Sequence, residues 1–183
     1  MKKCDSDFEL FKDKIPKQFG GARLKSNPKI KRPLTTKHAI HLVLKSELAR
    51  GNKSFLRARN VDRIDRIVRS SAKKFGVRLY HFVNVGNHIH LVVKLHDTQT
   101  YSSFIRAVTG LIARHVLQAQ RNAAKGIKFW QARPFTRLVT WGRDYNRVKR
   151  YMEKNREQAR SGGFTDWGFS VTDPSKIANL DSG

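Results

Sequence analysis

Three things are scarce in this chain. It holds a single cysteine, Cys4, among 183 residues, which excludes an intramolecular disulfide and fits a reducing cytosol. Long apolar runs are missing too: no stretch approaches the roughly 20 apolar residues of a membrane span. Met1-Lys2-Lys3 is followed by Cys4-Asp5-Ser6-Asp7 rather than by the apolar run of a secretion signal. The expectation is a soluble, cytoplasmic protein with no membrane partner. Acidic residues are the third shortage: 14 Asp and Glu stand against 38 Lys and Arg, for a formal charge of +24. From Thr98 to Arg143 there are eight Lys or Arg and not one Asp or Glu. An imbalance of that size exceeds what solubility requires and implies a polyanionic partner.

The length suits one domain with a real core. Residues 1–35 mix Lys, Arg, Asp, Gly20-Gly21, Pro16, Pro28 and Pro33 with few apolar residues, and read as a basic, flexible N-terminal arm. Its Lys29-Ile30-Lys31-Arg32 cluster can lie along phosphates. The run from Lys37 to Lys45 is β-like and free of Gly and Pro. Asn60 offers an N-cap, and Val61, Ile64, Val68, Ala72 and Phe75 fall on one helical face that Gly76 terminates. Val77 to Val85 reads as a second strand. Val85-Gly86-Asn87 then turns it into a third, His88 to Lys94.

A second helix is expected from about Tyr101 to Arg121, with Val108, Ile112 and Val116 inward, and a short fourth strand over Phe135 to Thr140. A third helix begins near Asp144, with Tyr145, Val148, Met152 and Ala159 as its buried stripe, and ends by Ser161-Gly162-Gly163. The sequence thus divides into the arm, one domain over 36–160, and a C-terminal tail over 161–183. The element order is that of an α+β, ferredoxin-like antiparallel sheet, βαββαβ, with an added C-terminal helix. Helices cover one face of such a sheet and leave the other for ligands.

The third strand carries the chemistry. Successive side chains in a strand point to opposite sides, so His88, His90, Val92 and Lys94 share one face while Ile89, Leu91 and Val93 share the other. Two imidazoles on alternate positions can converge on one cation, but two ligands are not a complete site. A histidine triad would need a further His where Val92 stands, and a structural zinc site would need four Cys or His ligands. His41 and His81 can share the same sheet face; their register cannot be read from sequence. On the last helix Tyr151 and Asn155 lie four residues apart and so project from one face. An amide oxygen there could face a metal, and a phenol beside it could serve as nucleophile.

His88-Ile89-His90, followed about sixty residues later by Tyr151-Met152-Glu153-Lys154-Asn155 on a helix, resembles the single-tyrosine HUH transposases of the IS200/IS605 type over roughly residues 35–160. Trp130-Gln131-Ala132-Arg133-Pro134-Phe135 is similar to the segment before the fourth strand in the REP-associated tyrosine transposase branch. The chain departs from the pattern at Asn87, where relatives often carry an acid, and at Asn155-Arg156, where that branch has Asn-Pro. The resemblance implies that His88, His90 and Asn155 bind Mg or Mn. It further implies that Tyr151 attacks single-stranded hairpin DNA to leave a 5′-phosphotyrosine and a free 3′-OH, as a transposase of a bacterial-type, nucleoid-associated location. Lys94, Arg147, Arg150, Lys154, Trp130 and Arg133 are the expected DNA contacts, and Trp130 or Trp141 can stack on unpaired bases. Monomer and homodimer both stay open, with the tyrosine acting in its own chain or in a partner. The alternative from another class is a catalytically silent nucleic-acid-binding module, a domesticated transposase acting as a regulator.

Overall fold

The computed structural model describes residues 18–21, 31–118 and 127–161. Most of the arm and nearly all of the C-terminal tail lie outside these, and so does the end of the second helix expected beyond 118. Five strands form one antiparallel sheet: β1 (Gln18–Phe19), β2 (Ala39–Lys45), β3 (Val77–Asn84), β4 (His88–Leu95) and β5 (Phe135–Val139), in the spatial order β1-β5-β2-β4-β3. Among the described residues three α-helices, α1 (Ala58–Lys74), α2 (Thr100–Val116) and α3 (Arg143–Arg160), complete it. From β2 to β5 the order is the ferredoxin-like βαββαβ with α3 appended, as the periodicities predict.

Alternation decides what each face meets. Ile40, Leu42 and Leu44 of β2 and Ile89, Leu91, Val93 and Leu95 of β4 pack with Ile64 and Val68 of α1 and Phe104, Val108 and Ile112 of α2 in the main core. Each large side chain fully buried there contributes about 1.5–3 kcal/mol. On the opposite face a smaller core joins Ala39, Val83, Val92 and Val139 to Val148 and Met152 of α3. The added helix therefore lies across the face that holds the histidines.

Two local expectations need correction. Helix α1 starts at Ala58, with Arg57 rather than Asn60 at its N-cap. The Asn60 amide instead donates to the Ser54 carbonyl at 2.7 Å, because a polar side chain buried at that point must find a partner. Within the stretch read as an arm, Gln18 and Phe19 pair with Arg137 and Thr136 as an edge strand. Arg32 is drawn in as well: it donates to the Pro134 carbonyl at 2.7 Å and to Thr136 Oγ1, and it stacks over the Phe19 ring at 4.2 Å.

The turn before β4 is fixed by its own polar groups. Gly86 sits at φ 93°, a conformation that side chains oppose. Its N–H donates to Asn84 Oδ1 at 3.0 Å, and the Asn84 amide donates to the Phe55 carbonyl at 2.8 Å. With Val85 N–H on the His88 carbonyl at 3.0 Å, the hairpin enters β4 in the one register that turns His88 and His90 toward α3.

Candidate active site

Three elements assemble the site: the paired strands β2 and β4, and α3. In the β2–β4 ladder Lys45 stands opposite His88, Val43 opposite His90 and His41 opposite Val92. Directly paired residues share a face, so His41 and Lys45 join the two histidines of β4. The His88 and His90 rings are 4.8 Å apart at 70°. His41 stacks on His90 at 5.3 Å and 10°, with His41 Nε2 3.1 Å from His90 Nδ1. Over this pair α3 lays Tyr151, whose ring meets His90 edge-on at 5.6 Å and His41 at 6.3 Å.

The electrostatics follow from burial. All three imidazoles are inside the protein, where a charged ring would lose its hydration. Burial pushes His90 down to about 3. Burial, aided by His90 and Arg137, holds His41 well below the usual imidazole value; burial with His90 and Lys45 does the same to His88. At neutral pH the rings are uncharged and carry lone pairs. Tyr151 moves the other way: burial raises its hydroxyl above the ordinary phenol value, and a side-chain hydrogen bond with Asn155 draws it partly back. The Asn155 amide nitrogen also donates to the Tyr151 carbonyl at 2.7 Å, which leaves its oxygen as the acceptor end.

These residues suit a divalent cation. His90 Nε2 is buried and makes no hydrogen bond, an arrangement that costs about 1–3 kcal/mol unless some partner uses the atom. Neutral imidazole nitrogen is a good ligand for such ions. Among the described residues no three His, Cys, Asp or Glu side chains converge on a common metal position. A third donor must come from another residue type, and the Asn155 amide oxygen is of that kind.

The other expected contacts scatter. Lys94 shares the histidine face but lies four residues beyond His90, about 13 Å along the strand, where it pairs with Arg78. The cation in register with His88 is Lys45, which sequence reasoning missed because the signal is the β2–β4 register. Arg150 and Lys154 are exposed on α3, and Arg147 is half-buried. Arg133 is exposed in the loop before β5. Trp130 stands apart: it packs against Phe55 at 5.9 Å and Phe129 at 5.0 Å in the core on the far face, and its Nε1 donates to the Thr109 carbonyl at 3.1 Å. Sheet and core separate that indole from Tyr151, so its stacking partners are protein rings rather than bases.

The model of the IS200-like transposase family matches residues 35–155. Among solved structures, a REP-associated tyrosine transposase bound to a REP hairpin shares the fold, with a TM-score of 0.57 at 16% identity over 78% of this chain and 81% of that one. A candidate transposase from Deinococcus radiodurans R1 aligns with a TM-score of 0.43 at 18% identity, covering 70% of this chain and 98% of that one. No curated protein gives a significant match.

Proposed function

The chain belongs to the IS200-like transposase family, and from that premise we propose that it is a metal-dependent endonuclease and strand transferase acting on single-stranded hairpin DNA. The observation that carries this reading is the seat of Tyr151 on buried His90, 5.6 Å between ring centroids, on the sheet face that also bears His88. In the proposed reaction Tyr151 Oη forms a bond to phosphorus and the bond from phosphorus to the 3′ oxygen breaks. The phenol gives up its proton, and the 3′ oxygen takes one up to leave as a free 3′-OH. The 5′ phosphate stays on the tyrosine. A second 3′-OH reverses the step and joins strands, so no nucleotide energy source is needed.

Mg or Mn, held by His88, His90 and Asn155, would polarise the scissile phosphate and offset charge on its oxygens. The chain's own residues do the rest. Burial keeps the Tyr151 hydroxyl protonated at neutral pH and so unreactive before DNA arrives. Lys45, in register with His88, gives an adjacent phosphate a positive partner, and Arg150 and Lys154 extend that field along α3. The hairpin held by the structurally similar REP-associated transposase supports a hairpin substrate here.

The test is a denaturing gel with a labelled single-stranded hairpin, the protein and Mn. The wild-type chain is expected to form a covalent adduct that Tyr151→Phe abolishes while DNA binding survives. Tight binding with no adduct, whatever the flanking sequence, would leave a nucleic-acid-binding module on the same fold.

A further inference from the structure

Beside the site, at the other end of α3, lies a group of aromatic side chains that the chemistry above does not use. Trp141 is 42% exposed, the one exposed aromatic among the described residues. It meets Tyr80 at 5.3 Å and Tyr145 at 5.2 Å, and those two rings are 6.1 Å apart. The indole is fixed rather than loose, because its Nε1 donates to the Lys37 carbonyl at 3.0 Å. Tyr145 is fixed too, its hydroxyl 2.8 Å from His81 Nε2. Tyr80 falls at the bulge between Leu79 and His81 where β3 shifts its pairing with β4. A bulge re-aims the side chain it carries.

Cations outnumber acids around this group. Arg78 lies over the Tyr80 ring at 5.2 Å and stands directly opposite Lys94, an unfavourable pairing of like charges that an anion between them relieves. Of the two nearby acids of α3, Asp144 is engaged by Arg137 at 2.6 Å and by the Thr140 N–H at 3.1 Å, and Glu153, which acts on His81, is paired with Lys149 at 3.9 Å. Rigid, part-exposed rings edged by unneutralised cations are what an unpaired nucleotide requires: a face for the base and a positive neighbour for its phosphate. Tyr145 precedes Tyr151 by six residues, about 9 Å along the helix axis and roughly a third of a turn around it, so the platform lies a short stretch of strand from the nucleophile.

We infer that Trp141, Tyr80 and Tyr145 form a stacking platform for an unpaired base flanking the scissile phosphate, with Arg78 and Lys94 holding the adjoining phosphate. This inference rests on the proposed action on single-stranded DNA and names the part of the substrate that the platform takes: the extension, not the hairpin stem.

The experiment compares the affinity of the full chain for a hairpin with a six-nucleotide single-stranded extension, the same hairpin with abasic sites in the extension, and the blunt hairpin. Trp141→Ala is expected to weaken binding of the extended hairpin roughly 5- to 100-fold. The blunt hairpin should change by less than about twofold, and Trp141→Phe should keep most of the affinity. The wild-type chain should lose affinity for the abasic extension to the same degree. Equal losses on extended and blunt hairpins, or no loss on either, would overturn the platform. Melting temperatures and Trp141→Phe guard against a folding defect. The adduct assay separates this idea from the parent reading: an adduct with no discrimination by Trp141→Ala removes the platform alone. Discrimination with no adduct keeps the platform on a protein that only binds.

Discussion

His41 Nε2 lies 3.1 Å from His90 Nδ1, with both rings buried and stacked at 10°. Both imidazoles are neutral, so one nitrogen donates and the other accepts. When His90 Nδ1–H donates, its Nε2 keeps a lone pair, and Nε2 is the buried atom without a hydrogen bond. Metal-bound histidines commonly fix their tautomer this way. His41→Leu is therefore expected to lower Mn affinity roughly 10- to 100-fold, while His41→Gln, which keeps an acceptor, retains most of it. Calorimetric titration of the DNA-free protein with Mn measures this directly. Wild-type affinity in His41→Leu would show that the contact merely packs two rings.

In the proposed site Asn155 has two separable tasks, one toward the cation and one toward the Tyr151 hydroxyl, of which the hydrogen bond with Tyr151 is the one the structure carries. A carboxylate is a stronger ligand for Mg or Mn than a neutral amide. Asn155→Asp should thus tighten Mn binding several-fold, and Asn155→Ala should weaken it. The two variants should agree in slowing adduct formation: the aspartate places a negative charge beside the phenol and raises its pKa further, and the alanine removes the hydrogen bond. Identical Mn titrations for all three proteins would take Asn155 out of the ligand set.

Acid should unfold this protein through its histidines. His90 is pushed down to about 3 in the folded chain, against an ordinary value of about 6.5 in the unfolded one. The stability this neutral ring contributes is complete above pH about 6.5. Below that the unfolded state binds the extra proton, so stability falls as pH drops, by up to about 1.4 kcal/mol per pH unit per group until the folded pKa is reached. His41 and His88, both held well below the usual value, add losses of the same sign. Urea midpoints measured in EDTA should decline steeply from pH 7 to 5. A flat profile would mean that water reaches these rings.

The face that carries the chemistry was legible because strand alternation is local: His88 and His90 had to share a side, and Ile89, Leu91 and Val93 had to take the other. Tyr151 and Asn155 were legible for the same reason, four residues being one helical turn. What sequence could not supply was the alignment of distant segments. His41 and Lys45 enter the site through the β2–β4 register, which the turn at Gly86 and the packing of both faces decide together. The Gln18–Phe19 edge strand is two residues long, too short for any periodicity to reveal. Trp130 and Trp141 carry equivalent signals in sequence; only the tertiary fold sends one into the main core and leaves the other at the surface.

That divergence makes the indole of Trp130 a stability residue, and its replacement tests the assignment. The ring fills space between Phe55 and Phe129, and its N–H satisfies the Thr109 carbonyl. Trp130→Ala removes the packing and the indole's extra hydrogen bond to a carbonyl that lies within helix α2. Core Trp and Phe truncations cost about 3–5 kcal/mol, and since Trp130 is only half-buried a loss of about 3 kcal/mol is expected in urea denaturation. Hairpin affinity per folded molecule should be unchanged, because the ring faces the helices α1 and α2 and not Tyr151. Binding that weakens while the urea midpoint holds steady would place Trp130 on the DNA after all, and would require the loop before β5 to reach around the sheet edge.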